Sequence, residues 1–339
     1  MNKQILLVGP FPPPLGGISV HNQRLHQLLE NESFKVTKVS THNPNRNRLL
    51  NIFELLKQIN RYKGNLIHLH VSAFESFVFV IPFIWLILMC KKDKKLVVTI
   101  HSGRFLSVYN KFSSINKLII SFFLKNTNHV IAVSSELKFF LMEEIGIPET
   151  KISVIPAFLP PDKNANDSDL RKVIDKRKKN VVIAGALKEL YGFDVVIKAI
   201  KTDSNLLNLY NFIFVFYMDS DPDYAKQILN DCNKLGIHFF REMDSKDFIS
   251  LLNLSDVFLR PTTTDGDSVA VREAIYLGKC VIASDSVERP DRVHTFKTSD
   301  PVSLINVMYN VLNKQEEKNI HDFNQNIKSI IKVYKKLNI

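Results

Sequence analysis

The sequence predicts an α/β protein of two doubly wound domains, each a parallel sheet covered by helices on both faces. Three observations lead to this prediction. Short runs rich in Val, Ile and Phe alternate with longer segments of helical period, as in successive βαβ units. A Pro-rich and then polar segment at 156–168 interrupts the alternation, after which the pattern restarts. The chain of 339 residues is also too long for one compact core.

The first half contains six predicted strands with helices between them. The helix at 19–29 keeps its apolar residues on one stripe, and the helix at 135–145 begins at a serine cap and ends before Gly146. The strands are expected at residues 4–8, 35–40, 66–70, 96–100, 129–133 and 152–155.

The second half repeats the pattern, with helices expected from Phe193, Asp223, Ser245 and Ser268. Its strands are expected at residues 180–184, 212–217, 238–240, 257–259 and 280–283. We therefore expect domains at 1–158 and 159–321, and a closing helix at 322–339 for which packing back on the first domain is one option.

The formal net charge of +11 is concentrated in the first half. Residues 1–160 hold 19 Lys and Arg against 9 Asp and Glu, whereas the remainder holds 26 against 25. This excess favours an anionic partner such as nucleic acid, phospholipid head groups or a phosphorylated substrate. Nucleic acid is the weakest of these, because no basic segment is interleaved with RNA-binding aromatic motifs. Three unevenly spaced cysteines cannot form a disulfide framework, which favours a cytoplasmic location.

An uncharged segment of 14 residues at 77–90 precedes the lysine-rich segment 91–95. It is shorter than the roughly 20 residues that a membrane-spanning helix needs. One interpretation is a buried helix kinked near Pro82; the other is a helix that touches the inner membrane face, with the lysines at the head groups. The apolar stretch after Lys3 is too short for a signal peptide.

The loop after the first strand is rich in proline and ends in Gly16 and Gly17 at the start of a helix. It lacks the GxGxxG pattern, which argues against a dinucleotide-dependent dehydrogenase. Exposed backbone N–H groups there can approach an anion, and a tight turn that merely needs glycine is the alternative.

Histidines follow two of the later strands. His68 and His70 lie on one strand face without a third ligand in register, so we interpret them as packing or hydrogen-bonding residues rather than as a metal site. His101 follows the next strand, next to Gly103 and Arg104, where a side chain reaches the edge of a sheet. It is a candidate catalytic residue, with a structural role as the alternative.

The most informative segment of the second half is 260–274. A strand ends at Arg260, a polar loop containing Gly266 follows, and a helix begins near Asp267 or Ser268 with Glu273 in its second turn. Such a loop can offer backbone amides to a diphosphate, and the carboxylate can accept hydrogen bonds from the two hydroxyls of a ribose. A capped helix with a solvated Glu is the alternative.

Asp265 and Glu273, separated by seven residues and followed by the segment 278–284, resemble the signature of the retaining, GT-B-fold glycosyltransferases of family 4. This family, also called glycosyl transferases group 1, usually has Glu in the first acidic position. The resemblance extends along nearly the whole chain, through His70 and the segments 12–17, 99–103, 129–156, 181–200 and 252–261. It implies two Rossmann-like domains that face each other across a cleft.

For the second domain, the resemblance implies a nucleotide-sugar site. Glu273 would hold the donor ribose, and Asp265 would lie beside the donor sugar. The backbone amides of Gly266, Asp267 and Ser268 would lie near the sugar and phosphates.

For the first domain, the resemblance implies that His101 contacts the donor sugar near the reacting carbon. Gly16 and Gly17 would contact the diphosphate from across the cleft. The nucleobase would rest near Phe240 and Arg241, at the end of a strand of the second domain.

The family commonly places an Arg and a Lys in the loop after the first strand of the second domain, where this chain has Ala186 and Tyr191. Negative charge grows on the departing nucleotide during transfer, so some other donor must stabilise it. Lys188 is our first candidate because it lies in the same loop; Arg260, Arg272 and the helix start at Asp267 are the others.

We therefore expect a cytoplasmic hexosyltransferase that uses a UDP- or GDP-linked sugar and a lipid-diphosphate-linked or glycan acceptor in capsule, O-antigen or exopolysaccharide synthesis. Peripheral contact with the inner membrane is expected, and a metal or other cofactor is not. Closure about the 156–168 hinge would assemble the site. The alternatives are a non-catalytic sugar-nucleotide or glycan-binding protein of the same fold and a nucleotide-sugar epimerase.

Overall fold

The computed structural model contains two compact units, which are described separately. The first unit comprises Met1–Leu159 and Asp322–Ile339, and the second comprises Pro160–His321. The structure describes residues 3–12, 17–41, 47–75, 78–91, 93–101, 105–161, 170–219, 221–265, 268–312 and 324–339.

The first unit is built on a parallel sheet whose described strands follow the order β2-β1-β3-β4-β5-β6. Its strands are β1 (Gln4–Gly9), β2 (Lys35–Ser40), β3 (Leu66–Val71), β4 (Lys95–Ile100), β5 (His129–Ala132) and β6 (Ile152–Val154). Its helices are α1 (Gly17–Asn31), α2 (Arg48–Arg61), α3 (Ile81–Met89), α4 (Phe105–Lys111), α5 (Ser114–Asn126) and α6 (Ser135–Glu143).

The second unit repeats this architecture, with the described strands in the order β12-β11-β10-β7-β8-β9 and every pair parallel. Its strands are β7 (Lys179–Leu187), β8 (Tyr210–Asp219), β9 (His238–Arg241), β10 (Val257–Arg260), β11 (Cys280–Ser284) and β12 (Val293–Phe296). Its helices are α7 (Phe193–Thr202), α8 (Leu206–Leu209), α9 (Pro222–Leu235), α10 (Ser245–Leu254), α11 (Val269–Tyr276) and α12 (Pro301–Leu312).

The last helix, α13 (Gln325–Lys336), belongs to the first unit. Ile327, Ile330 and Tyr334 recur at helical spacing and pack into the core formed by β1 and α1. The Tyr334 hydroxyl also contacts His68 Nδ1 at 2.6 Å, a buried polar contact beneath the sheet. The late segment is therefore an integral part of the first core.

The predicted two-domain, doubly wound α/β class is confirmed, and the differences are local. β7 continues to Leu187 beyond the predicted end at residue 184, because β8 keeps pairing with it there, whereas β10 pairs with it only as far as Ile183. β12 was not predicted; it is a short, half-exposed edge strand with little apolar signal. Only residues 156–161 of the predicted hinge lie within the described part of the chain.

The prediction of a buried, kinked helix around Pro82 is wrong. Pro82 lies in the first turn of α3, where a missing N–H costs nothing, so the helix begins there and is not kinked. Ile81 and Ile84 are buried, but Phe83 and Leu86 are 56% and 61% exposed. Among the described residues, every helix is too short or too polar to cross a lipid bilayer.

Candidate functional site

Two loops meet at the carboxyl ends of β7 and β10, which are neighbours in the second sheet. The backbone N–H of Thr263 donates to the carbonyl of Leu190 at 2.9 Å. Gly192 has φ +69°, and a Cβ there would lie 1.9 Å from the Pro261 carbonyl oxygen. Only glycine permits both this backbone conformation and this approach, so Gly192 allows the two loops to pack against each other.

A buried ion cluster lies where these loops meet. The Arg260 guanidinium donates to both carboxylate oxygens of Asp265 at 3.0 Å, and Arg289 Nη1 donates to the same carboxylate at 3.0 Å. The side chains of Arg260, Asp265 and Arg289 are only 11%, 8% and 3% exposed. Arg260 also donates to the Ala184 carbonyl at 3.0 Å and lies 5.2 Å from the centre of the Tyr191 ring.

The environment of Asp265 determines its protonation state. Burial alone would raise the pKa of this carboxyl, but the hydrogen bonds and charges of Arg260 and Arg289 outweigh it and lower the pKa below the ordinary 3.8. Asp265 is therefore ionised at neutral pH and has no proton to donate. Its carboxylate can hold the loop after β10 and balance two arginines, but it cannot act as a general acid.

Helix α11 begins beside this cluster. Ser268 is its N-cap residue, and the Ser268 hydroxyl accepts a hydrogen bond from the Val271 N–H at 3.4 Å. Glu273 lies in the second turn and is 4% exposed, so the alternative of a solvated Glu is wrong. Burial first, and then the negative charge of Glu273, raises the pKa of the nearby Tyr217 hydroxyl. Gly266 and Asp267 lie outside the described residues.

The remaining predicted donor-binding residues lie at different ends of elements. Lys188 is half-exposed directly after β7, Arg241 is exposed at the end of β9, and Arg272 is half-buried on α11. Gly17 is the exposed first residue of α1, and Gly16 lies outside the described residues. The roles of these residues in donor binding stay predictions.

In the first unit, the structure groups His101 with two other histidines from different elements. His101 follows β4, His70 lies in β3 and His21 lies in the first turns of α1. His70 Nδ1 lies 2.9 Å from His101 Nε2, and the His21 and His101 ring centres are 4.5 Å apart. Gly9 makes this grouping possible, because a Cβ there would lie 3.0 Å from the Cβ of His70 and 2.5 Å from Asn22 Nδ2.

All of these imidazoles are neutral at physiological pH. Burial is the largest cause in each case: it lowers the pKa of His21 to about 4, and the pKa values of His70 and His101 lie well below 6.5. The neighbouring imidazoles would repel a second positive charge and lower the values further. The cluster therefore presents nitrogen lone pairs and N–H groups, not positive charge.

His68 and His70 were expected to lack a third ligand in register on their strand, and the structure brings two further histidines to His70 from other elements. Among the described residues, one ring nitrogen each of His21, His70 and His101 can be chosen so that all lie within 4.8 Å of one another, a grouping that can hold a metal ion. His68 instead contacts Thr99 Oγ1 at 2.7 Å as well as Tyr334, so its interpretation as a hydrogen-bonding residue is consistent with the structure.

Two residues of these clusters were missed from the sequence. Arg289 lies after β11 in no recognisable motif, and only the tertiary structure brings it to Asp265. His21 lies on a helix, where strand-end reasoning does not apply. The proximity of His70 and His101 could have been predicted, because neighbouring parallel strands place their carboxyl ends at the same edge of the sheet.

Comparisons with known proteins agree with this architecture. Residues 15–163 match the family model of Glycosyltransferase Family 4, and residues 166–299 match that of Glycosyl transferases group 1. The chain therefore belongs to the family 4-like glycosyltransferases of the GT-B fold, and the resemblance noted from its motifs is confirmed.

Among curated proteins, the chain is similar to N,N'-diacetylbacillosaminyl-diphospho-undecaprenol alpha-1,3-N-acetylgalactosaminyltransferase of Campylobacter jejuni subsp. jejuni serotype O:2. The two are 28% identical over 159 residues, which span 42% of this chain and 39% of the relative. The matched part is thus well under half of that protein's length.

Among solved structures, the chain is similar to a glycosyltransferase from Rickettsia africae ESF-5, with a TM-score of 0.66 and 18% identity over 99% of this chain and 97% of that one. It is also similar to Anabaena Alr3699/HepE in complex with UDP and glucose, with a TM-score of 0.62 and 16% identity over 92% and 90% of the two chains. At these identities the similarity concerns the fold.

Proposed function

We propose that this protein is a retaining glycosyltransferase that moves a hexose from a UDP- or GDP-linked donor to a lipid-diphosphate-linked or glycan acceptor. The proposed setting is capsule, O-antigen or exopolysaccharide synthesis. The observation that carries the proposal is the pair of joined loops at the carboxyl ends of β7 and β10, of which the loop after β10 leads into α11 and its buried Glu273. Ligands of doubly wound sheets bind at this edge.

Each residue has a proposed task at the donor. The Glu273 carboxylate accepts hydrogen bonds from the ribose hydroxyls, and the amides at 266–268 approach the sugar and phosphates. Asp265 lies beside the sugar and, because it is ionised, acts through its charge and by holding the loop. Arg241 marks the strand end where the nucleobase rests.

The leaving diphosphate needs a positive partner, and Lys188 is the proposed one. In the chemical step the bond from the anomeric carbon to the diphosphate breaks and leaves its electron pair on the phosphate oxygen. The acceptor oxygen bonds to the same face of that carbon, and its proton passes to the departing phosphate. Charge accumulates on the departing phosphate. The Arg260 charge is largely balanced by Asp265, which favours the half-exposed Lys188 in the adjacent loop, with Arg272 as a further candidate.

The first unit supplies His101 and the Gly16–Gly17 pair in this proposal. His101 is neutral, so it contacts sugar hydroxyls through a hydrogen bond without adding charge near the reacting carbon. Glycine amides at the start of α1 are proposed to approach the diphosphate. We propose that the transfer requires no metal, so chelator treatment should leave the rate unchanged.

The deciding experiment is a panel of UDP- and GDP-sugars with a polyprenyl-diphosphate-linked sugar as acceptor. The expected result is nucleotide release that depends on acceptor and a product with the donor's anomeric configuration by NMR. An inverted product would contradict the retaining mechanism. Donor binding without release would favour the non-catalytic binding protein, and release of sugar or nucleotide without acceptor would favour the epimerase.

Two variants test the donor residues. Glu273→Gln should weaken donor affinity roughly tenfold or more, because a buried charge-assisted hydrogen bond is worth about 1.5 to 3 kcal/mol. Lys188→Ala should lower turnover. Glu144→Gln and Lys226→Ala, both at exposed positions away from these loops, are the matched controls. Unchanged donor affinity in Glu273→Gln would contradict the ribose role, and unchanged turnover in Lys188→Ala would contradict the phosphate role.

A lipid-linked acceptor requires access to a membrane, and the first unit has a surface suited to it. Helix α3 packs against both α2 and α5, and each helix exposes an apolar stripe at helical spacing. We name these residues the apolar face: Leu49, Leu50, Phe53, Phe79, Phe83, Leu86, Met89, Ile115, Leu118 and Phe122, all more than half exposed. A face of this extent is typical of an interaction site.

The charge around the apolar face favours an anionic bilayer as its occupant. Residues 47–127 hold 12 Lys and Arg against 3 Asp and Glu, which is most of the excess of the first half. Basic residues next to an apolar face are drawn to anionic head groups by about 1 kcal/mol each, while the apolar side chains enter the interface. This supports peripheral contact with the inner face of the membrane.

Vesicle sedimentation tests this contact. The full chain should bind vesicles of phosphatidylglycerol and phosphatidylcholine, bind pure phosphatidylcholine weakly, and dissociate as salt is raised. Phe83→Gln with Leu86→Gln should reduce binding severalfold, whereas Val302→Gln, at a 58% exposed position of the second unit, should not. The membrane assignment would be overturned if the double variant and Val302→Gln bound equally well, or if the wild type did not bind anionic vesicles. Neither result would contradict the proposed binding of a nucleotide sugar.

A further inference from the structure

Three buried or half-buried histidines converge in the first unit, outside the donor residues of the second unit. His21 and His70 are 5% and 2% exposed, and His101 is half-buried. One ring nitrogen of each lies within 4.8 Å of one ring nitrogen of both others. They come from α1, β3 and the end of β4, so regular secondary structure, and not a loose loop, positions them.

One hydrogen bond determines which ring nitrogen of His21 carries a lone pair. His21 Nδ1 donates to the Ala157 carbonyl at 2.5 Å, so in the neutral ring Nε2 carries a lone pair. That Nε2 is buried and has no hydrogen-bond partner among the described residues, and the same holds for His70 Nε2. A buried polar nitrogen without a partner costs about 1 to 3 kcal/mol, so two of them in one cluster indicate a missing ligand, and the lone pair of His21 Nε2 favours a cation.

The chemistry of the cluster narrows the choice of ligand. Within the part of the chain that the structure describes, the group consists of imidazoles without a carboxylate, which disfavours Mg²⁺ and Ca²⁺. Imidazole nitrogens suit Zn²⁺, Co²⁺, Ni²⁺ and Cu²⁺. Histidines that bind such metals usually donate their second ring N–H to a carbonyl or carboxylate, as His21 does to Ala157.

We propose that His21, His70 and His101 form a binding site for a divalent transition-metal ion of the Zn²⁺ and Co²⁺ class. The three imidazoles supply three ligands, and a water or a substrate hydroxyl completes a four-coordinate sphere. Small rotations of the rings close the 4.8 Å spacing to the separation of ligands on one ion. The proposal does not concern the transfer step, which is proposed to need no metal.

The test titrates Co²⁺ into untagged, chelator-treated full-length protein. The expected result is one bound ion per chain, with the intense visible absorption of four-coordinate Co²⁺, and loss of that absorption when Zn²⁺ displaces it. His21→Gln and His70→Gln should each weaken Co²⁺ binding at least about tenfold. His238→Gln, at an exposed position of the second unit, and Cys90→Ser, which removes an exposed thiol, are the matched controls.

Wild-type protein without one stoichiometric, visibly absorbing Co²⁺ ion would overturn the proposal, whatever the variants do. So would His21→Gln and His70→Gln variants that remain folded by circular dichroism and bind Co²⁺ as tightly as wild type. A second variant links the site to His101: His101→Gln should also weaken Co²⁺ binding at least about tenfold, and unchanged binding in the folded variant would contradict its role as the third ligand. Because the absorption spectrum requires no turnover, its outcome is separate from the success of the proposed function.

Discussion

In the first unit, β3 and β4 lead to neutral histidines with unsatisfied nitrogens, whereas in the second unit β10 leads to a fully bonded cluster of two arginines and one aspartate. Both clusters lie at the carboxyl ends of strands in six-stranded parallel sheets, although the two sheets differ in strand order. The position in the fold is therefore shared, and the side chains alone decide what each site does.

The comparison separates two uses of buried polar groups. In the second unit every oxygen of Asp265 accepts a hydrogen bond, so the cluster joins the loop after β10 to Arg289 in the segment after β11. In the first unit the unsatisfied nitrogens of His21 and His70 weaken the fold slightly and are available to a ligand. The first cluster should thus be easy to change without unfolding, and the second should not.

The largest expected effect is loss of the second cluster. Asp265→Asn leaves two buried arginines without their counter-charge and should lower the free energy of unfolding of the second unit by about 3 to 5 kcal/mol. Urea denaturation at neutral pH measures it, with the exposed Asp223→Asn as control. A loss below about 1 kcal/mol would show that the ion cluster does not hold the loops.

The two units should also respond differently to acid. Burial, and then the charge of Lys336, lowers the pKa of His129 in the first unit from 6.5 to about 4. Between these values the unfolded chain binds more protons, so stability is full above pH 6.5 and falls by up to about 3 kcal/mol as the pH falls toward 4. The lowered pKa of Asp265 instead preserves its contribution until the pH falls below 3.8.

The test measures the unfolding of the first unit at a series of pH values, with amide hydrogen exchange as the readout. His129→Gln should make the decline between pH 6.5 and 4 shallower, with the buried His21, His70 and His101 still contributing, and His238→Gln should leave the decline as it is. An equal slope in wild type and His129→Gln would assign the acid sensitivity to other groups.

A smaller effect is expected at the contact between the two loops of the second unit. Gly192→Ala places a methyl group against the Pro261 carbonyl at a left-handed φ, which should cost about 2 kcal/mol. Gly236→Ala, which has a similar φ of +67° but open space around it, is the matched control. Equal losses would mean that the backbone conformation matters and the loop contact does not.

The smallest effect is expected in the first cluster. His21→Leu removes one hydrogen bond but also one unsatisfied nitrogen, so the metal-free protein should lose about 1 kcal/mol or less. Thermal unfolding in the presence of a chelator measures this change. A loss as large as that of Asp265→Asn would remove the distinction between the two clusters.

Much of the architecture follows from local sequence. Alternating apolar runs locate eleven of the strands, and serine and glycine caps locate helix ends such as those of α6 and α11. β12 was not predicted because a short, half-exposed edge strand has little apolar pattern in its sequence. The exposed side of α3 could not be predicted from its apolar composition, because a buried helix and a helix with an exposed apolar side can have the same composition.

The sites divide in the same way. The loop at 260–268 and the buried Glu273 are visible in the sequence as spacing relative to a strand and a helix. Arg289 and His21 are not, since each reaches its cluster through contacts between distant segments. Whether the predicted donor residues bind a nucleotide sugar is a question for the donor panel and Glu273→Gln.

The contact between Tyr334 and His68 has a consequence for biosynthesis. A ribosome delivers β3 early, but the helix that covers it only after all of the second unit has been made. The first unit is therefore synthesised first but completed last. Until α13 has been synthesised, the part of its sheet that α13 covers stays exposed to solvent.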